Sequence, residues 1–273
     1  MDSDGSLNIL IVVQARTGSS RLPDKVMLPL SGEPLLVRMM ERVKASKAAT
    51  NFVVATSTDD EDDIIEELCD DYDFNCFRGS LENLLERHYL AGLKYNADVV
   101  VKIPSDCPLI DPAIIDKVIN FYVRNKDKYD FVSNLHPPTY PDGNDVEVIP
   151  MPVLKITYEN ALLNMELEHT TPYIWERPDE FRIGNVLWET GLDYSMTYRF
   201  TIDYREDYEF IKAVYDELYE ENPLFGLDDI LKLLEEKPEL KKINEKYVGV
   251  NWYRNHLDDL KTISPDDTKH IEF

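Results

Sequence analysis

Short apolar runs alternating with amphipathic segments dominate the first half of this 273-residue chain. That alternation is the pattern of parallel strands covered by crossover helices, and it predicts an α/β fold. Residues 8–13, 52–55 and 98–103 read as strands. Pro34 opens a helix whose apolar positions Leu35, Val37, Met39, Met40 and Val43 form a buried face. Asp111-Pro112 starts another, with Ile114, Ile115, Val118, Ile119 and Tyr122 facing inward. A further helix is expected over residues 81–94. The acidic run from Asp59 to Asp63 precedes Ile64, Ile65 and Leu68, a placement that favours a helix N-terminus.

Beyond residue 133 the order is less regular. A turn-rich loop spans residues 136–143, followed by an expected strand over 145–149. Helical stretches are expected near 153–163 and 167–176, a late strand over 198–202, and helices over 207–219 and 227–234. No internal repeat or long low-complexity linker is visible, and the length fits one catalytic domain.

The formal charge of −24 repels nucleic acid and anionic membrane surfaces. A nucleotide substrate therefore needs local positive charge and a metal ion. The region before Thr58 supplies the charge, with seven basic residues (Arg16, Arg21, Lys25, Arg38, Arg42, Lys44, Lys47) against five acidic ones (Asp2, Asp4, Asp24, Glu33, Glu41). Cys69, Cys76 and Cys107 have neither metal-ligand spacing nor an even count, which reads most simply as a reducing cytoplasm. No signal peptide or membrane-length apolar run is present, so a soluble protein is expected.

The segment from Gln14 to Lys25 follows the first strand, where the carboxyl end of a strand opens into a ligand crevice. Gly18 permits a tight backbone path, Ser19 and Ser20 donate hydrogen bonds, and Arg16, Arg21 and Lys25 neutralise phosphate charge. It is neither a Walker A motif nor a dinucleotide fingerprint, because the glycine spacing and the Gly-Lys-Ser/Thr pair are missing. By composition alone an exposed basic loop is the alternative.

Ala15-Arg16 through Arg21-Leu22-Pro23-Asp24-Lys25 resembles the N-terminal signature of sugar-acid cytidylyltransferases, nearest to the spore coat polysaccharide biosynthesis branch. Relatives of that kind activate 3-deoxy-manno-octulosonate or acylneuraminate. The similarity extends to Lys102 through Asp111, Pro141 through Val148, Glu168 through Ile174 and Arg199 through Asp203. It runs from about residue 8 to about residue 245. The resemblance implies a Rossmann-like, glycosyltransferase-A-type nucleotidyltransferase fold with a mixed, mainly parallel sheet and a small dimerisation element. Residues 1–245 would form the nucleotidyltransferase domain, residues 134–190 its acceptor-binding and dimerisation region, and residues 246–273 a C-terminal tail. A homodimer is implied.

Asp106 and Asp203 each follow an expected strand, so two carboxylates distant in sequence can meet at one sheet edge. Hard oxygen ligands of this kind suit Mg²⁺, and the resemblance places the metal there. Alone, either aspartate reads more readily as a helix cap, and the resemblance reverses that preference. Arg16 and Lys25 are the implied triphosphate ligands, with Arg21 nearby. The base is expected over Ala15, Thr56 and Ser57, with Arg78, Gly79, Ser80 and Asn83 as a second contribution; Ser80 and Asn83 also suit helix capping. Asp142, Asn144, Glu147 and His169 fall in the later motifs, where acceptor recognition is expected. The resulting expectation is CMP transfer from CTP to a small acidic sugar. A nucleotide-sugar glycosyltransferase and a non-catalytic nucleotide sensor are the alternatives.

Overall fold

The computed structural model describes residues 7–270. Its strands are β1 (Ile9–Gln14), β2 (Pro29–Leu30), β3 (Glu33–Pro34), β4 (Asn51–Ser57), β5 (Cys76–Gly79), β6 (Val99–Pro104), β7 (Phe131–Ser133), β8 (Glu147–Pro150) and β9 (Ile183–Asn185). Its α-helices are α1 (Leu35–Lys44), α2 (Asp63–Asp71), α3 (Leu84–Lys94), α4 (Pro112–Asn125), α5 (Met151–Asn160), α6 (Asn164–His169), α7 (Pro172–Trp175), α8 (Arg205–Leu218) and α9 (Leu227–Glu236). Seven strands form one sheet in the order β5-β4-β1-β6-β8-β7-β9, while β2 and β3 form a separate hairpin.

Strand β1 runs parallel to both β4 and β6, with Val13 opposite Val54 and Ile103. Strand β8 enters antiparallel to β6 and β7, which makes the sheet mixed but mainly parallel. Both faces are covered, and the alternation of strand side chains shows it. Ile9, Ile11 and Val13 enter a core with α1, α4, α8 and α9. Leu10 and Val12 enter a second core with Val153, Ile174 and Trp175. Double burial explains why β1 is continuously apolar. No helix among the described residues is long and apolar enough to cross a membrane.

Three expectations change. Helix α3 starts at Leu84 rather than residue 81, because the Asn83 side chain caps it by accepting from the Glu86 amide at 2.9 Å. The helix expected over 167–176 is split in two: Thr170 adopts φ 72° and Pro172 opens the second piece. Residues 198–202 are not a sheet strand; their only ladder contact is a bridge from Arg199 to Asp142.

That last difference builds the site. The Phe200 amide donates to the Asp142 carbonyl at 2.7 Å, and the Ile202 amide donates to the Asp106 carbonyl at 2.8 Å. The segment therefore spans two loops rather than extending the sheet. Gly143 permits the approach, since a Cβ there would lie 2.6–2.8 Å from the Phe200 and Thr201 backbone. Residues 246–270, expected as a tail, pack onto the body. Glu176 accepts from the Lys261 and Thr262 amides at 2.5 and 3.0 Å, and Tyr253 and Leu260 enter the second core.

Candidate active site

The carboxyl ends of β1, β4 and β6 lie on the same side of the sheet, as their parallel registers require. A cavity of about 970 Å³ opens beside them, lined by the loop after β1, residues after β6, and the later motifs around Asp142, Glu147 and His169. Its position agrees with the rule that ligands of such sheets bind outside the carboxyl ends of the strands.

The loop after β1 is shaped by a buried carboxylate that sequence reasoning gave no role in it. Asp62 accepts from the Thr17 amide at 2.8 Å and the Thr17 hydroxyl at 2.9 Å. It also accepts from the Ser57 hydroxyl at 2.5 Å. Burial alone would raise the Asp62 pKa, but these donors outweigh it and hold the carboxyl below its ordinary value. The acidic run thus does begin a helical segment, while one of its members clamps the loop to the end of β4. The only available signal was an Asp set among exposed acids.

Downstream of that clamp, the Ser19 hydroxyl accepts from the Leu22 amide at 3.3 Å, and Gly18 faces open space. Ala15 is fixed by its amide to the Ala55 carbonyl at 3.0 Å. Arg16 is exposed and makes no hydrogen bond or ion pair among the described residues. It is a free cation at the cavity wall.

Lys25 and Arg21 reach the other side. Lys25 Nζ donates to the Ile202 carbonyl at 2.7 Å and lies 3.5 Å from both Asp106 Oδ2 and Asp203 Oδ1. Arg21 Nη2 meets Asp203 Oδ1 at 2.6 Å. The two aspartates therefore converge on one point and already hold a cation there.

Behind Asp203 sits Arg199, a residue to which sequence reasoning assigned no role although it lies four positions earlier in the same motif. Its side chain is 1% exposed. It donates to Asp203 Oδ2 at 2.9 Å, Asp207 Oδ1 at 3.0 Å, Asp142 Oδ2 at 3.2 Å and the Val250 carbonyl at 2.7 Å. Burial would raise the Asp203 pKa, but Lys25, Arg199 and Arg21 overcome it and bring the carboxyl to about 2. Asp203 is thus held ionised.

Asp142, Asn144, Glu147 and His169, the residues expected to meet the acceptor, all line the cavity. Their free capacity differs. The Asn144 amide oxygen accepts from the Asp111 amide at 3.3 Å and its Nδ2 donates to the Pro141 carbonyl at 3.3 Å, so it holds the loop. Glu147 accepts from Thr171 Oγ1 at 2.5 Å and pairs with Lys102, its register partner across β6 and β8. His169 is covered by the Trp252 indole, with centroids 3.7 Å apart and planes 16° apart. Asp142 and the neighbouring Asp145 carry carboxyls pushed upward by burial, Asp145 to about 7.

Some expected base contacts lie elsewhere. Thr56 and Ser57 are fully buried and, like Gly79, do not line the cavity. Arg78 points away toward α2, where Nη1 meets Asp63 and Glu66 at 2.5 and 2.8 Å and Nε donates to the Ser57 carbonyl at 2.8 Å. Its charge is spent on holding β4 to α2. Ser80 and Asn83 do line the cavity, and they also cap: Ser80 Oγ accepts from the Asn83 amide at 3.1 Å. Beside them Arg87 is buried, its pKa lowered to about 10 by desolvation, and it donates to the Ser80 carbonyl at 2.6 Å.

A basic loop after the first strand, facing two converging aspartates across a deep cleft on a mixed α/β sheet, defines a nucleotidyltransferase. The match to known proteins is more specific. The cytidylyltransferase family model matches residues 10–237, and the chain belongs to that family. It is 34% identical over 237 residues to the spore coat polysaccharide biosynthesis protein SpsF of Bacillus subtilis, covering 85% of this chain and 96% of that protein. It is 30% identical over 133 residues to 8-amino-3,8-dideoxy-manno-octulosonate cytidylyltransferase of Shewanella sp., covering 46% of this chain and 52% of that one. The structure of a cytidylyltransferase from Leptospira borgpetersenii superposes with a TM-score of 0.81 at 33% identity, covering 86% of this chain and 97% of that one.

Proposed function

We propose that this cytidylyltransferase transfers CMP from CTP to a hydroxyl of a small acidic sugar, of the octulosonic or nonulosonic type, and releases pyrophosphate. The observation that carries this reading is the convergence of Asp106 and Asp203 on Lys25 beside the free Arg16. Lys25 and Arg16 neutralise the triphosphate, and their charge is worth most where charge develops in the transition state. The acceptor hydroxyl attacks the α-phosphorus in line and gives its proton to a nearby carboxylate; the new P–O bond forms as the bond to the bridging oxygen breaks, and pyrophosphate leaves with that electron pair. Two carboxylates plus phosphate oxygens and water are a fitting donor set for Mg²⁺, which needs no all-protein cage. Among the described residues no group of three or more His, Cys, Asp or Glu forms such a cage. Bound there, Mg²⁺ would supply charge stabilisation for the transferring phosphoryl group and pyrophosphate. The acidic acceptor is favoured by the octulosonate relative and by the family signature.

The test is pyrophosphate release from CTP across a panel of octulosonic and nonulosonic acids, before and after EDTA treatment. Release that stops on chelation and returns with Mg²⁺, but does not return in Asp106→Asn or Asp203→Asn, is expected. Unchanged release in EDTA removes the metal from the account, and release in the two variants removes the carboxylates.

A further inference from the structure

Residues 249–253 follow the family match, which ends at residue 237, yet they line the same cavity as Arg16, Lys25 and Asp106. SpsF is matched over 96% of its own length and the Leptospira enzyme over 97%, whereas 85–86% of this chain is covered. This wall is firmly anchored. The Lys269 amide donates to the Gly249 carbonyl at 2.7 Å, and the Asn251 amide donates to Thr268 Oγ1 at 3.1 Å. Glu176 holds the stretch at Lys261 and Thr262, and Arg199 Nη1 donates to the Val250 carbonyl at 2.7 Å.

Within this wall the ring contacts run both to the later motifs and back into the C-terminal stretch, where Trp252 meets Tyr253 at 4.6 Å and His256 at 5.7 Å. Trp252 stacks on His169 and lies 6.4 Å from the Trp175 ring, while Tyr253 meets Trp175 edge-on at 6.2 Å. Trp175 Nε1 donates to Thr171 Oγ1 at 3.2 Å, and Thr171 donates onward to Glu147. Among the described residues, no hydrogen bond, ion pair or ring contact joins residues 249–253 to residues 15–25. One face of the indole is taken by His169, Tyr253 and His256 pack against it as well, and the half-buried ring lines the cavity. An indole so braced offers a flat apolar surface at little conformational cost, suited to the carbon skeleton of a sugar.

We propose that Trp252, braced by His169, is a specificity-determining residue that packs against the carbon skeleton of the acceptor and leaves the nucleotide half of the site untouched. This rests on the acidic-sugar reading above. The reaction is followed by pyrophosphate release with 3-deoxy-manno-octulosonate and N-acetylneuraminate as probes at saturating CTP, and CTP binding is followed by calorimetry. In Trp252→Ala the acceptor KM rises about tenfold, CTP affinity is unchanged and kcat stays within about threefold, while Trp252→Phe recovers most of the loss. If Trp252→Ala is insoluble, Trp252→Leu, which keeps apolar volume without a flat ring, carries the same expectation. Unchanged acceptor KM in these variants overturns the proposal and leaves the acceptor reading intact. Parallel loss of CTP affinity and acceptor affinity overturns it by showing a structural role. No release by the parent enzyme with either acid refutes the acceptor reading, and this proposal with it.

Discussion

Arg199→Met tests whether the cleft is organised around one buried cation. The side chain is 1% exposed and makes five hydrogen bonds: two to Asp207, one each to Asp142 and Asp203, and one to the Val250 carbonyl. Methionine keeps much of the volume and removes the charge, so three carboxylates lose their shared partner. Asp207, fully buried, retains the Asn244 side chain and the Asp203 and Tyr204 amides at 3.0–3.1 Å. Breaking one side of a buried ion cluster costs about 3–5 kcal/mol, a large share of the roughly 5–15 kcal/mol that holds a typical protein folded. Urea unfolding at pH 7.5 measures it as a lowered midpoint at unchanged slope. The double variant Arg199→Met/Asp207→Asn should recover part of the loss, because the most deeply buried of the three uncompensated carboxylates is then neutral. A single-variant loss under about 1 kcal/mol, or strictly additive losses in the cycle, refutes the hub.

Three other outcomes follow from the same geometry. Lys25→Ala should lower turnover about 10²–10³-fold without unfolding the protein; retained turnover removes Lys25 from the chemistry. Asp62→Ala strands the buried Thr17 amide, so a stability loss of about 2–4 kcal/mol should accompany a raised KM for CTP and an unchanged acceptor KM. Melting and CTP titration check both parts, and normal CTP binding contradicts the clamp. His88 is fully buried, and desolvation lowers its pKa to about 3. As pH falls below about 6.5, the unfolded chain takes up a proton that the folded chain refuses, and stability is lost down toward the folded pKa. Between pH 7.5 and 5 the difference between the parent and His88→Leu should therefore shift by about 2 kcal/mol in favour of the variant; parallel pH curves would contradict it.

Much of the scaffold was legible because double burial writes continuous apolar runs: β1, β4 and β6 fall within a residue or two of expectation. Strand β5 escaped notice because Cys-Phe-Arg-Gly is four residues long and only half-buried. Residues 198–202 carry strand-like composition, but their backbone partners are the Asp142 and Asp106 carbonyls, and no local pattern encodes a partner that distant. Asp106 and Asp203 do converge as expected, but only Asp106 lies beyond a sheet strand; Asp203 arrives because residues 198–202 bridge the Asp142 and Asp106 loops. The direction of Arg78 was not, since a cation beside a glycine suits a nucleotide or two helix carboxylates equally, and here Asp63 and Glu66 hold it. Residues 246–270 lack a periodic apolar face, and their packing depends on single anchors such as Tyr253 and the backbone bonds to Glu176.

Weighing the products reveals cytidylyl transfer at the Asp106–Lys25–Asp203 cluster. The enzyme is incubated with CTP, Mg²⁺ and the acid panel and analysed by mass spectrometry alongside a pyrophosphate assay. The expected product is a species equal to CMP joined to one acid with loss of water, formed one-for-one with pyrophosphate and absent when Asp203→Asn replaces the parent. Intact CTP with every acid, or release of nucleoside diphosphate from a nucleotide sugar in place of pyrophosphate, would contradict it.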